Sequence, residues 1–144
     1  MADSKRETSE TITRQSTEPD YQVALKFIND YLEFTNDRKS DIGLIEWVNS
    51  RKDLTVEFKS ELKRILDEAE KEDPELGLGF NPILDAQDSP DRFLLDSTDY
   101  EFLIVKGEDW TEFRLTLKIK LVDNKWLVDG AGIINVPEKK RMKR

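Results

Sequence analysis

A chain of 144 residues with 31 acidic and 23 basic side chains, a net charge of −8, reads as one acidic domain, and that balance argues against nucleic acid as a partner. It contains neither cysteine nor histidine, which removes disulfides, thiolate nucleophiles, histidine-based triads and the commonest transition-metal ligand. No apolar run approaches the roughly 18 residues of a spanning helix, so no membrane span is expected.

Residues 1–19 are almost devoid of apolar side chains and read as a disordered polar leader. The opening "MADSKRETSE" has no apolar core of a signal peptide. A leader of this kind fits either a tether to the cell envelope, whose export signal lies outside this sequence, or the frayed end of a cytoplasmic protein. Residues 20–137 form the folded unit, and 138–144, "EKKRMKR", read as a solvated basic tail.

The first helix is expected to start near Pro19, with Thr17 as N-cap and Asp20 complementing the helix dipole. Tyr21, Ala24, Leu25, Ile28, Tyr31 and Leu32 recur at helical spacing and make its apolar stripe, which Asn36 and Asp37 end. A short second helix is predicted over 41–49, with Leu44, Ile45 and Val48 inward. The third has Thr55 as N-cap, Phe58, Leu62, Ile65, Leu66 and Ala69 as its buried face, and Pro74 as its stop.

The texture then changes. "LGLGFNPILDAQDSPD" is too rich in glycine and proline for helix and predicts a loop enclosing one short strand at 83–86. From Arg92 the period becomes two, with strands expected over 92–96, 100–106, 110–122 and 125–136. "FRLTLKIKL" puts Phe113, Leu115, Leu117, Ile119 and Leu121 on one face and Arg114, Thr116, Lys118 and Lys120 on the other. Asp123-Asn124 suits a two-residue hairpin turn, which sets Leu121 opposite Trp126, Ile119 opposite Val128 and Lys118 opposite Asp129. Gly130 and Gly132 are places where the last strand can bend or bulge. The fold class is therefore α+β: three N-terminal helices on a curved antiparallel sheet of four to five strands, shaped as a cone with a cavity at its mouth.

That element order resembles the nuclear-transport-factor-two-like (cystatin-like) superfamily. More narrowly, "GLGFNPILDAQDSPDRF" and "KWLVDGAGIINVP" look like an uncharacterised family of bacterial secreted proteins and lipoproteins, catalogued as a domain of unknown function. The resemblance spans about 21–137 and implies the fold and export to the periplasm or cell envelope, not an activity. Enzymes of the superfamily use an aspartate with tyrosine or histidine partners inside the cone, a pattern with no residue-by-residue match here.

Five residues are candidates for a ligand site. Asp85 in "ILDAQD" would line the cone mouth as an acid, a base or a ligand hook, with Asp88 beside it as a polar group, or else both accept backbone N–H groups within their own loop. Asp129, between Val128 and Gly130, would be raised in pKa by burial and suited to proton abstraction, but the facing Lys118 favours a structural ion pair. Phe80 and Trp110, each beside a glycine-rich or acidic turn, are the aromatics expected to be exposed; Trp47, Tyr100 and Phe93 belong with the core unless they join them. Asp85, Asp88, Asp91, Asp96 and Asp99 lack the spacing of a calcium loop, so no metal and no cofactor is expected. The reading is a non-catalytic binding or interaction module of the cell envelope, with a small molecule or a protein at the cone mouth and homodimerisation through the sheet's outer face. The alternatives are a carboxylate-based lyase or isomerase and a protein-inhibiting partner of the antitoxin or immunity type.

Overall fold

The structure, a computed structural model, describes residues 18–37, 39 and 41–144. The polar leader and the Thr17 cap therefore lie, all but their last residues, outside the described residues. Helix α1 spans Gln22–Asn36, α2 Leu44–Ser50 and α3 Val56–Glu72. Four strands follow, β1 Phe93–Asp99, β2 Phe102–Gly107, β3 Arg114–Val122 and β4 Lys125–Ala131, paired antiparallel in chain order. The fold is the expected α+β arrangement of three helices and then a sheet, but the sheet is not strongly curled.

Helix starts follow local chemistry. Helix α1 has Tyr21 as its N-cap residue, and the Asp20 carboxylate just before it accepts from the Gln22 N–H at 3.1 Å, on the side where an acid complements the helix dipole. Thr55 caps α3 as predicted, its hydroxyl accepting from the Phe58 N–H at 3.0 Å. Helix α2 begins later than expected because Gly43 is extended and serves as its N-cap.

Helix α1 lies across the sheet. Its buried stripe, Ala24, Phe27, Ile28, Tyr31 and Leu32, meets Leu103 and Val105 of β2, Leu115, Leu117 and Ile119 of β3, and Val128 of β4 in one core. Asn29 ties it to β1 with both ends of its amide, accepting from the Phe93 N–H at 2.8 Å and donating to the Phe93 carbonyl at 3.1 Å. Phe27, Trp47 and Phe58 fill the space between the three helices, with Phe27 and Phe58 edge to face at 5.6 Å. Together with the α1 stripe they make one continuous core between helices and sheet.

Arg51 clamps the helical layer. It pairs with Asp30 of α1 at 2.9 Å and with Asp53, and its guanidinium lies 5.1 Å from the Trp47 ring. Burial raises the Asp30 pKa, but the bonds from Lys26 and Arg51 outweigh it and hold the carboxyl below its ordinary value. An aspartate depressed in the folded state stabilises fully above its unfolded pKa, about 4, and loses that contribution as pH falls through the folded value. Arg51→Ala is thus expected to cost about 2 kcal/mol at pH 7. Urea melts should show the gap from wild type narrowing below pH 4; a constant gap would mean that Arg51 acts through packing alone.

The strands depart from expectation where the backbone turns left-handed. Tyr100 has φ +53° and lies in the β1–β2 turn, not in a strand. β3 starts at Arg114 because 110–113 is a turn closed by the Phe113 N–H on the Trp110 carbonyl at 3.1 Å. β4 ends at Ala131 because Gly132, at φ +60°, turns the chain away. The β3–β4 hairpin does turn at Asp123 and Asn124, both with positive φ, and aligns Leu121 with Trp126 and Ile119 with Val128. One step further it slips: Lys118 faces Gly130, leaving Asp129 as the extra residue of a bulge.

Residues 138–144 are not a solvated tail. Glu138–Lys140 form a 3-10 turn on the outer face of the sheet, where the Lys140 carbonyl accepts from the buried Thr116 hydroxyl at 2.7 Å. The Lys140 ammonium lies 4.8 Å from the Phe102 ring. This segment thus covers part of the face on which a homodimer contact is expected.

Candidate functional site

The loop after α3 is built around Asn81. Its side-chain oxygen accepts from the N–H groups of Ile83 and Leu84 at 3.0 and 3.2 Å, and its backbone pairs with Ala86. This converts the expected strand at 83–86 into a closed turn. The Asn81 amide also donates to the Tyr31 hydroxyl, and burial pushes that phenol up to about 12, so it stays protonated. Ile83 and Leu84 plug into the core, and the Ile133 N–H donates to the Pro82 carbonyl at 3.1 Å. The Ala86 N–H points inward to the Asn81 carbonyl at 3.4 Å, so the Asp85 carbonyl of the same peptide points outward, and the Leu84 carbonyl faces the same side. Asp85 holds this geometry at φ +53°, a conformation that aspartate tolerates better than most residues.

Opposite stands the β2–β3 turn. The Gly107 N–H donates to the Phe113 carbonyl at 3.0 Å, and a Cβ on Gly107 would sit 2.4 Å from the Trp110 carbonyl oxygen. The close approach stands Trp110 on Phe113, edge to face at 5.0 Å, with Trp110 still 42% exposed. Between the two turns runs an open groove of about 490 Å³. Phe80, Trp110 and Phe113 form its apolar walls, and its rim is charged, with Asp85, Asp88 and Glu112 set against Lys143 and Arg144.

Four of the five expected residues, Phe80, Asp85, Asp88 and Trp110, thus share one groove, although not at a cone mouth. Asp129 is elsewhere, held in the bulge of β4. Its side chain is 6% exposed, with one oxygen accepting from the Thr55 hydroxyl at 2.7 Å and the other from the Lys118 ammonium at 2.9 Å. Both oxygens serve structure, which favours the ion-pair role. Trp47 and Phe93 are packed in or against the core, and Tyr100 is exposed at the β1–β2 turn. The five spaced aspartates do not converge either: Asp96 meets Arg114 and Lys106, and Asp99 meets Lys140. Among the described residues no group of three acidic, histidine or cysteine side chains is placed to hold a metal.

Sequence reasoning missed Phe113 and Glu112 as lining residues and Arg144 as an occupant. The Arg144 guanidinium lies in the groove 4.4 Å from the Phe113 ring, with Nε donating to the Asp85 carbonyl at 3.0 Å and Nη2 to the Leu84 carbonyl at 3.1 Å. Nothing in a basic run announces where it docks. A larger concavity, about 720 Å³, lies between Pro19 and the β3–β4 hairpin. Its walls are mostly charged or polar, and Trp126, whose ring N–H is buried and has no partner among the described residues, contributes the main apolar wall. The Phe80–Trp110 groove combines aromatic walls with convergent polar groups, the usual make-up of a ligand site, and is the better candidate. Comparison with protein-family models, with curated proteins and with solved structures finds no match to this chain.

Proposed function

We propose that the domain is a non-catalytic binding module and that its site is the groove between the 80–88 turn and the β2–β3 turn. The observation that carries this reading is the convergence of two half-exposed aromatic walls, Phe80 and Trp110, with the acidic groups Asp85, Asp88 and Glu112 and the outward carbonyls of Leu84 and Asp85. Such a groove binds by desolvating an apolar or cationic group against aromatic faces while fixed acceptors orient it. The engagement of both Asp129 oxygens, by Thr55 and Lys118, supports a structural role for that carboxylate over one as a catalytic base.

An amide-shift NMR titration with amino-acid amides, sugars and nucleotides tests the reading. A ligand of the groove shifts 84–88 and the Trp110 indole together. Trp110→Ala should weaken that ligand at least about tenfold, a loss of about 1.4 kcal/mol typical of one aromatic contact, with little change in folding. Silence at the groove across all classes would overturn the assignment. We further place the module in the cell envelope, on the resemblance of "GLGFNPILDAQDSPDRF" and "KWLVDGAGIINVP" to exported bacterial proteins. Recovery of the full-length protein in the periplasmic or membrane fraction supports that address, and recovery in the cytosol refutes it.

A further inference from the structure

Resting on the groove as binding site, we infer that its ligand class is the guanidinium group: the groove is a receptor for an arginine side chain of a partner peptide, and Arg144 occupies it in cis. Acceptors and aromatic face both suit that group. The Leu84 and Asp85 carbonyls accept from two different nitrogens of a single guanidinium, Nη2 and Nε, the forked presentation that a lysine ammonium cannot reproduce. Phe113 presents its face 4.4 Å from the guanidinium carbon, within the range of a cation–π contact.

One of the acceptors is held by the loop's own bonds: the Ala86 N–H donates to the Asn81 carbonyl at 3.4 Å, which turns the Asp85 carbonyl of the same planar peptide the opposite way. Left-handed backbone at Asp85 is of the kind that clusters at ligand clamps. Charge adds complementarity: with Arg144 set aside, Asp85, Asp88 and Glu112 face only Lys143 across the groove. Burial lowers the Arg144 pKa and the Asp85 charge pulls the other way, so the guanidinium is partly dehydrated where it sits.

Arg144 would compete with any arginine from outside, being tethered to the same surface. The probe is N-acetylarginine amide, titrated by NMR against the full chain and against Arg144→Ala, with N-acetyllysine amide as comparison. The expected result is a groove shift with the arginine probe, strengthened roughly tenfold in Arg144→Ala, the gain from removing a competitor that holds about nine-tenths of the molecules. The lysine probe should bind more weakly, and Asp85→Asn, which keeps the left-handed turn, should weaken the arginine probe. Equal binding of the two probes, or no gain in Arg144→Ala, overturns the inference. If the arginine probe leaves the groove silent while another class shifts it, guanidinium recognition falls and the binding groove stands. If no class shifts it, both fall.

Discussion

Replacing Gly132 by alanine should destabilise the domain by about 2–4 kcal/mol and open the groove at the same time. Gly132 sits at φ +60°, where an L side chain is strained, and an added Cβ would fall 2.4 Å from the Pro82 carbonyl oxygen and 2.6 Å from that of Ile83. Neither neighbour can yield cheaply, because both are backbone atoms of the turn that Asn81 has closed. Left-handed strain in a non-glycine residue contributes about 1 kcal/mol, and forcing a methyl into packed backbone adds roughly 1–3 kcal/mol more. Relief comes only by moving the 81–86 turn outward, which would withdraw the Leu84 and Asp85 carbonyls from the groove and Ile83 from the core. Urea denaturation should therefore show a lower midpoint at similar slope. Amide shifts should change at 82–86, on a segment distant in sequence from the substitution. A variant within about 0.5 kcal/mol of wild type, with unmoved shifts, would mean that the contact between these two loops is slack and that the groove is not rigidly held.

The parts of the fold that were legible are those in which a periodic pattern and a local capping group agree. Thr55 with the stripe Phe58–Leu62 specified α3, and Asp123-Asn124 with the alternation of 113–121 specified the β3–β4 hairpin and most of its register. What was not legible depends on contacts between segments far apart in sequence. The strand expected at 83–86 is a turn because Asn81 outcompetes a ladder for the Ile83 and Leu84 N–H groups and because Gly132 lets another loop close over it. The 138–144 run was expected in solvent because charge alone says nothing about Phe102 and Phe113, whose ring faces receive Lys140 and Arg144. The site follows the same logic. Their place beside glycine-rich or acidic turns marks Phe80 and Trp110, and the "ILDAQD" segment marks Asp85 and Asp88, but their meeting in one groove depends on two turns whose geometry appears only in three dimensions. Asp129 was singled out for the opposite reason, a charge in an apolar strand, and the bulge that accommodates it also satisfies it.

That bulge carries the other large expected effect. Asp129→Ala should cost about 2–3 kcal/mol. Removing one member of a fully buried ion pair costs about 3–5 kcal/mol, and the estimate is reduced here because the Lys118 side chain is 25% exposed and can regain water. Part of the loss arises in α3: the Thr55 hydroxyl donates to Asp129 while accepting from the Phe58 N–H, so the carboxylate fixes the rotamer that caps the helix. The same residues join helix to sheet, since the Thr55 N–H donates to the Val128 carbonyl at 3.0 Å and the Val128 N–H to the Asp53 carbonyl at 2.7 Å. Hydrogen exchange in Asp129→Ala should accordingly accelerate at Phe58 and at Val128 together, whereas Lys118→Met should accelerate mainly the sheet. Asp129→Asn, which keeps an acceptor for Thr55 but loses the charge pairing, should fall between wild type and the alanine variant. A cycle through Lys118→Met, Asp129→Ala and the double variant should return a coupling of about 1–2 kcal/mol. If Asp129→Ala left stability and both amides unchanged, the carboxylate would be free of structural duty, and a role for it in proton transfer would have to be taken up again.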